Sequence, residues 1–204
     1  MNQRYPDKSK KSPMEIFADK IRQIILDQSY RAHVGHIGSA LSIADIMAVL
    51  YGGVMNVDPA DRSDRDRFIL SKGHAALALY ACLFLKNRIS EDELNTYCAD
   101  GSLLGVHPEH QVAGIDFSTG SLGMGLSMAS GAALAAKLQG STRRVFAVLS
   151  DAECNEGSVW EAVMFAAHHR LSSLIAIVDL NGQQAYGYTR NVIDLSPMER
   201  RWEA

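Results

Sequence analysis

The sequence predicts an α/β fold, a parallel sheet with helices on both faces. Two short apolar runs rich in β-forming residues predict strands, a buried one at 145–150 and a second at 174–179. Between them, in residues 156–170, apolar side chains recur at helical spacing. Strand, helix and strand in succession form a βαβ unit, whose strands are parallel and whose crossover is right-handed. Residues 67–71 predict a further strand, and a helix over residues 75–86 follows it.

The composition is that of one compact domain. The chain has 204 residues, 47% of them hydrophobic and 21% charged, with a net charge of −3. This length suffices for a substantial core, and the near-neutral charge gives no electrostatic basis for binding nucleic acid or an anionic membrane. The cysteines fit neither a zinc spacing nor a disulfide framework, and the apolar run 75–85 is too short to span a bilayer. No signal peptide is evident, so we expect a cytoplasmic protein.

The helices outside the βαβ unit are predicted from their starts. Residues 1–11 are polar and basic and predict an N-terminal arm ahead of a domain over residues 12–204. Ser12, followed by proline, predicts the N-cap of a first helix with an apolar stripe. Ser42 is the expected N-cap of the next helix, which stops at a pair of glycines. Ser90 begins a capping box for a short helix.

Two polar residues follow the strands of the βαβ unit. Asp151 comes directly after the first strand, and Asn181 lies just past the second. Open α/β sheets bind ligands at this carboxyl edge, and carboxylate and amide oxygens suit Mg²⁺. Because an acid after a strand is also a common helix N-cap, the residues alone leave a metal ligand and a capping acid as equal alternatives.

Three histidines and a glycine-rich loop are further candidates. His36 lies between two glycines, His107 precedes a proline in a loop, and His74 lies at a strand-to-helix junction, where free N–H groups favour an anion. Histidine titrates near neutral pH and suits proton transfer, although each one taken singly is as well explained by capping or solvation. The loop 118–125 allows close approach of a ligand to the backbone. It has neither the lysine of a Walker loop nor the spacing of a dinucleotide fingerprint.

Five segments, in the same order along the chain, resemble the transketolase family. They are Gly35-His36-Ile37-Gly38, residues 66–74, Gly105-Val106-His107-Pro108-Glu109, residues 118–125, and the thiamine-diphosphate motif that runs from Ser150-Asp151-Ala152 to Asn181-Gly182. The chain departs from the motif at both of its first glycines, where Ser150 and Ala152 stand. It also has Val106 where the family often has glycine. The resemblance extends over residues 13–204 and implies the family's diphosphate-domain fold.

The resemblance implies a site for thiamine diphosphate and Mg²⁺ (or Ca²⁺). Its implied metal ligands are Asp151, Asn181 and the backbone carbonyl of Gln183. His36 and His107 are the implied catalytic residues, His36 for proton transfer and His107 for binding the hydroxyl of the donor. The implied cofactor contacts also include His74 and Ala152 at the diphosphate, Gly120 and Leu122 at the aminopyrimidine, and Glu156, with Glu161 beyond it, in the carboxylate network between paired sites.

The resemblance further implies the N-terminal subunit of a split transketolase, with a domain incomplete at its C-terminus. Such a chain would transfer a two-carbon ketol unit from a ketose or its phosphate to an aldose or its phosphate. It would need a C-terminal subunit that binds the pyrimidine as its partner, and it would self-associate through the diphosphate domain into a heterotetramer. Two alternatives stay open. A two-component synthase with a 2-oxo acid donor is disfavoured by the three histidines, and a non-catalytic assembly role is favoured by Ser150 and Ala152 but opposed by Asp151 and Asn181.

Overall fold

The computed structural model describes residues 11–57 and 64–204. The helices within these ranges are α1 (Pro13–Ala32), α2 (Ile37–Ser42), α3 (Ala44–Val49), α4 (Ala76–Leu85), α5 (Glu91–Leu94), α6 (Gly125–Leu138), α7 (Gly157–His168), α8 (Thr189–Val192) and α9 (Met198–Glu203). The strands are β1 (Arg67–Leu70), β2 (Val145–Ser150), β3 (Leu174–Asp179), β4 (Gln183–Gln184) and β5 (Gly187–Tyr188). Apart from Lys11, the predicted N-terminal arm lies outside the described residues.

The first three strands form the parallel sheet that the sequence predicts, in the order β1-β2-β3. Arg67 pairs with Val145, and Val145 pairs with Leu174, so the strands begin at the same level. The central strand β2 is buried along its whole length, which explains why it is an uninterrupted apolar run. Because Ser150 pairs with Asp179, the carboxyl ends of β2 and β3 lie side by side.

Helices cover both faces of the sheet, as expected. Alternate residues of a strand point to opposite faces. Phe68 and Phe146 belong to one core, which contains α1 to α4, whereas Ile69 and Ala147 belong to a second core, which contains α6 and α7. The predicted α/β class is therefore confirmed, and both layers leave the carboxyl edge of the sheet to the connecting loops.

Local capping signals locate two helix starts correctly. Ser12 Oγ accepts the N–H of Glu15 at 3.3 Å, and the Glu15 carboxylate accepts the N–H of Ser12 at 2.7 Å. Ser90 and Glu93 form the same reciprocal pair before α5. Each of these contacts is made within one turn and needs no tertiary structure.

The predicted helix start at Ser42 is wrong. Ser42 is the last residue of α2, and α3 begins at Ala44 after a break at Ile43. The Ser42 hydroxyl donates to Asp179 Oδ2 at 2.6 Å, at the end of β3. The side chain that the local sequence predicts as a helix cap therefore makes a tertiary hydrogen bond instead.

The long apolar run that precedes Lys86 is a core helix. α4 is buried at eight consecutive positions, from Ala76 to Leu83, because it packs beneath α1 and beside α3. Within the described part of the chain, no helix is long and apolar enough to cross a membrane.

Candidate active site

Asp151 links the two loops at the carboxyl edge of the sheet. Its Oδ1 accepts the N–H of Ala152 at 2.9 Å, and its Oδ2 accepts the N–H of Gly182 at 2.9 Å. Thr189 Oγ1 also lies 3.3 Å from Oδ2. Asp151 therefore caps the short 3-10 turn Ala152–Asn155 and at the same time ties the end of β2 to the loop after β3. Capping does not exclude metal binding, so the two roles that the sequence left open for Asp151 are compatible with each other.

Asn181 lies beside Asp151 in the second of these loops. Its Nδ2 donates to Asp179 Oδ2 at 3.0 Å, and its Oδ1 accepts the N–H of Gln183 at 2.9 Å. The structure thus brings together the three residues that the resemblance implied as metal ligands.

The donor set fits a hard divalent cation that shares its coordination with a ligand. Within the described residues, no group of three or more histidine, cysteine, aspartate or glutamate side chains could hold a metal ion. One carboxylate, one amide oxygen and one backbone carbonyl would leave coordination positions for phosphate and water oxygens, as Mg²⁺ prefers. A carboxylate has about four lone-pair sites, so the three hydrogen bonds that Asp151 accepts leave it able to bind a cation.

The three candidate histidines form one cluster, although they come from separate segments of the chain. The His74 ring lies between the other two, with its centroid 4.7 Å from that of His36 and 4.4 Å from that of His107. His36 has a positive φ of 63° at the N-terminus of α2, and His74 lies in the 3-10 turn Gly73–Ala75. The sequence identified all three residues, but it could not predict that their rings meet.

The cluster is electrostatically unusual at its centre. Burial, and then the neighbouring His107 and His36, lower the pKa of His74 below its ordinary value of 6.5. The buried His107 Nε2 has no hydrogen-bond partner among the described residues, while the His107 carbonyl accepts the Tyr80 hydroxyl at 2.8 Å. A buried ring nitrogen without a partner costs free energy, and a ligand hydroxyl or phosphate oxygen would satisfy it. These residues therefore fit a polar ligand.

The glycine-rich loop crosses the carboxyl end of β1 and lies against the histidines. Thr119 Oγ1 donates to the Leu70 carbonyl at 2.6 Å. A Cβ atom on Gly73 would lie 2.8 Å from Gly120 Cα, and one on Gly120 would lie 3.0 Å from the His107 ring. Glycine at these two positions lets the backbone approach both the strand end and the imidazole. Leu122 is 37% exposed at the edge of this loop.

Two other predicted residues lie at the start of α7. Glu156 is the exposed N-cap residue of this helix, and Glu161 is exposed further along it. Cys154 is buried in the motif between them and Asp151, and burial, with the charges of Glu153 and Asp151, raises its pKa to about 12. A thiol with so high a pKa is a poor nucleophile.

Sequence reasoning missed a buried ion pair directly beneath the site. Lys72 Nζ lies 2.6 Å from Asp179 Oδ2, and both side chains are at most 9% exposed. Burial alone would raise the pKa of Asp179, but hydrogen bonds from Lys72 and Ser42, the charge of Lys72 and a hydrogen bond from Asn181 together lower it. Asp179 ends an apolar strand two residues before Asn181, and an acid in that position was the only available sequence signal.

Glu153 was also missed. It is fully buried, and its carboxylate accepts hydrogen bonds from Ser71 Oγ at 2.5 Å and the N–H of Gly123 at 2.8 Å. Its position within the motif is the only sequence signal, because its partners are distant along the chain.

A separate cleft of about 470 Å³ is apolar, with Leu174, Ala176 and Trp202 among its lining residues. It opens on the second core, near the amino end of β3, and none of the candidate histidines or acids lines it. The candidate polar residues converge instead at the carboxyl edge of the sheet.

The chain matches the sequence model of a known protein family. The family model described as "Transketolase, thiamine diphosphate binding domain" matches residues 14–204. The chain therefore belongs to the transketolase family of transferases, and its fold is that of the family's thiamine-diphosphate-binding domain.

Several of its relatives are named as subunits of transketolases. The chain is 41% identical to a 6-deoxy-6-sulfo-D-fructose transketolase subunit of Clostridium sp. (strain MSTE9), over 92% of this chain and 69% of that one. It is 39% identical to an apulose-4-phosphate transketolase subunit of Phocaeicola vulgatus, over 94% of this chain and 69% of that one.

Solved structures of transketolases share the fold of this chain. The transketolase of Campylobacter jejuni superposes with a TM-score of 0.89 at 28% identity, and that of Leishmania mexicana with a TM-score of 0.87 at 30% identity. Each match includes 95% of this chain but only 32% and 31%, respectively, of the transketolase. The chain thus spans about two thirds of the subunits and less than a third of the solved transketolases.

Proposed function

We propose that this chain is the diphosphate-binding subunit of a split transketolase, which transfers a two-carbon ketol unit from a ketose or ketose phosphate to an aldose or aldose phosphate. The observation that supports it best is the ring cluster of His36, His74 and His107. Ser42 and Lys72, close in sequence to His36 and His74, bind Asp179, which also binds Asn181. Three imidazoles on segments tied to an oxygen-rich loop suit a polyhydroxylated substrate and an anionic cofactor. A 2-oxo acid donor would not need them.

The cofactor site that we propose combines the loops after β2 and β3 with the turn after β1 and the glycine-rich loop. Asp151, Asn181 and the Gln183 carbonyl would hold Mg²⁺ (or Ca²⁺), and His74 with the N–H of Ala152 would contact the diphosphate. Gly120 and Leu122 would contact the aminopyrimidine ring, and Glu156 would join the acids between paired sites. Thiamine diphosphate, when bound, supplies the stabilisation of a two-carbon carbanion.

The substrate-handling residues in this proposal are the outer histidines. His36, exposed at the N-terminus of α2, would exchange a proton with the substrate, because imidazole titrates near neutral pH. His107 would bind the donor hydroxyl through Nε2, the ring atom that has no partner among the described residues. The glycine loop behind the ring would keep that nitrogen in position.

The substitutions at the start of the motif are compatible with a catalytic chain. Ser150 is buried, and its Oγ accepts the N–H of Glu153 at 3.1 Å, so the serine is accommodated by a local hydrogen bond. Ala152 keeps its backbone N–H, which donates to Asp151 Oδ1 at 2.9 Å and would be shared with the diphosphate when the cofactor binds. Its methyl group would lie near the diphosphate and lower the affinity without removing the site.

A partner completes the proposed enzyme. Several relatives are named subunits of transketolases, and the family model that matches this chain is that of the thiamine-diphosphate-binding domain. We propose a cytoplasmic heterotetramer with a pyrimidine-binding partner subunit, in which this chain self-associates through the diphosphate domain. The three cysteines are free thiols, which suits a reducing compartment.

The test is calorimetric. Thiamine diphosphate is titrated, with and without Mg²⁺, into the chain mixed with its pyrimidine-domain partner, for wild type, Asp151→Ala and the surface control Glu199→Gln. We expect binding that requires Mg²⁺, is unchanged in the control and falls at least about a hundredfold in Asp151→Ala, since the variant loses a charged metal ligand. Absence of binding by the wild-type mixture would refute the enzyme assignment and leave assembly as the function.

A further inference from the structure

Glu153 is a fully buried carboxylate whose neighbours all belong to the candidate site. Its Oε1 accepts hydrogen bonds from Ser71 Oγ at 2.5 Å and from the N–H of Gly123 at 2.8 Å. Its Oε2 lies 3.4 Å from the N–H of Ser150. These donors belong to three segments, the end of β1, the glycine loop and the end of β2. One side chain therefore connects the loop to both strand ends.

The glycine loop has little freedom to take another position. Gly123 has a φ of 84°, in the left-handed region that favours glycine. A Cβ atom there would lie 2.5 Å from Ser158 Oγ and 2.7 Å from Glu156 Cβ. The Gly123 carbonyl accepts the Ser158 hydroxyl at 2.9 Å, so the peptide groups of Gly123 are bound on one side by α7 and on the other by Glu153.

All three of these polar contacts present a donor to Glu153. A carboxylate accepts at both oxygens, whereas an apolar residue of the same size would leave the buried N–H of Gly123 without a partner. Such an orphaned donor costs more than the hydrogen bond itself contributes. The loop would be expected to move toward water to satisfy it.

We propose that Glu153 is a positioning residue for cofactor recognition: it holds the glycine loop, through Gly123, where Gly120 and Leu122 meet the aminopyrimidine ring. This inference rests on the proposed function. Glu153 itself is fully buried within the protein, and the proposed metal and diphosphate contacts belong to other residues. Its loss should therefore weaken recognition of the ring and leave recognition of the diphosphate intact.

Two probes separate these effects. Thiamine diphosphate contains the ring and the diphosphate, and inorganic pyrophosphate contains only the latter. Both are titrated calorimetrically, with Mg²⁺, into the complex of the chain with its pyrimidine-domain partner. For Glu153→Ala we expect about a tenfold weaker Kd for thiamine diphosphate, equivalent to one net hydrogen bond, and an unchanged Kd for pyrophosphate.

Conservative variants distinguish position from charge. Glu153→Gln keeps an oxygen that can accept from Gly123, so its affinity for thiamine diphosphate should stay within about threefold of wild type. Glu153→Asp keeps the charge but is shorter, and it should lose about as much as alanine. It also replaces the alanine variant if that one fails to fold, which thermal unfolding would reveal.

The outcomes are distinct. A selective loss of thiamine diphosphate binding in the alanine or aspartate variant, with retention in the glutamine variant, supports the inference. Equal weakening for both probes in a folded variant, or wild-type affinity in the aspartate variant, overturns it while the proposed function stands. If the wild-type complex binds neither probe, the proposed function fails and the inference falls with it.

Discussion

His74 is the residue on which the electrostatics of the candidate site converge. Its ring lies between those of His36 and His107, and burial and these two neighbours lower its pKa. A neutral His74 in the ligand-free chain can accept or donate a hydrogen bond, and an anionic ligand would favour its protonated form. The ring can therefore change its charge state when an anion binds.

The lowered pKa of His74 predicts a loss of stability in acid. Because the folded-state pKa lies below 6.5, the unfolded chain binds more protons as the pH falls through that value. The free energy of unfolding contributed by this residue should therefore be fully present above about pH 6.5 and should decline as the pH falls toward the folded-state pKa. NMR titration of the ring protons, assigned with His74→Gln, measures that pKa directly.

The titration has a clear contrary result. A His74 midpoint at or above 6.5 in the ligand-free chain would mean that the ring is not desolvated as the structure describes. Addition of inorganic pyrophosphate should move the midpoint upward, because the anion stabilises the imidazolium.

At the scale of secondary-structure elements, the Lys72–Asp179 ion pair joins the turn after β1 to the end of β3. The Lys72 side chain is 3% exposed and that of Asp179 is 9% exposed, and Ser42 adds α2 to the same network. Asn181 also donates to Asp179. The orientation of a proposed metal ligand thus depends on three elements that are far apart in sequence.

Lys72→Met should destabilise the fold strongly. It removes the cation and leaves the Asp179 carboxylate buried without its partner, a change that typically costs about 3–5 kcal/mol of unfolding free energy. Urea unfolding measures the change. The matched control is Lys11→Met, which removes the exposed ion pair of Lys11 with Asp19 and should leave stability within experimental error.

A double variant separates lost charge pairing from lost packing. Lys72→Met combined with Asp179→Leu removes both charges and should recover part of the stability that the single variant loses. If Lys72→Met alone unfolds at the same urea concentration as wild type, the pair does not stabilise the fold.

At the scale of the whole molecule, α6 and α7 present apolar side chains to solvent on one side of the sheet. Met164 is 64% exposed, Phe165 is 40% exposed, and Leu138 at the end of α6 is 79% exposed. Glu156 and Glu161, the acids expected between paired cofactor sites, belong to α7 or its N-cap. This surface is therefore the expected site of self-association.

Met164→Asp should weaken self-association. Met164 would be buried in the proposed interface, and a charge in its place should raise the dimer Kd by at least about a hundredfold. Sedimentation velocity measures this Kd. Leu26→Asp on α1, at a residue that is 47% exposed on the other face, is the control and should leave the Kd unchanged. Equal dissociation of both variants would indicate a general loss of folding, and no change in either would place the interface elsewhere.

Much of the fold was predictable because its signals are local. The β2 run matches the strand residue for residue, since burial on both faces selects apolar residues throughout. Ser12 and Ser90 cap their helices through contacts within a single turn. Ser42 has the same local signature, but Asp179 binds its hydroxyl, and no local pattern could have revealed this.

Only part of the candidate site was predictable from the sequence. Asp151 and Asn181 could be paired from the sequence because the strand-helix-strand order brings two carboxyl ends to one edge. The three histidines and the glycine loop were candidates from their residues, and the resemblance to a family implied their roles. Glu153 was not predicted, because Ser71 and Gly123, the partners that give it a role, come from other elements.

By itself, the sequence determined the class of the fold, the order of its parallel strands along the chain, the capped starts of two helices and the residues from which a cofactor site could be built. Hydrophobic periodicity, helix capping and the position of a residue at a strand end depend on a few neighbouring residues, so they can be recognised in the sequence alone. Only the tertiary structure decided that three imidazoles meet, that Lys72 neutralises Asp179 beneath the site, and that Glu153 connects the glycine loop to two strands. Such contacts join residues far apart along the chain, and burial, which makes each of them strong, exists only once the chain has folded.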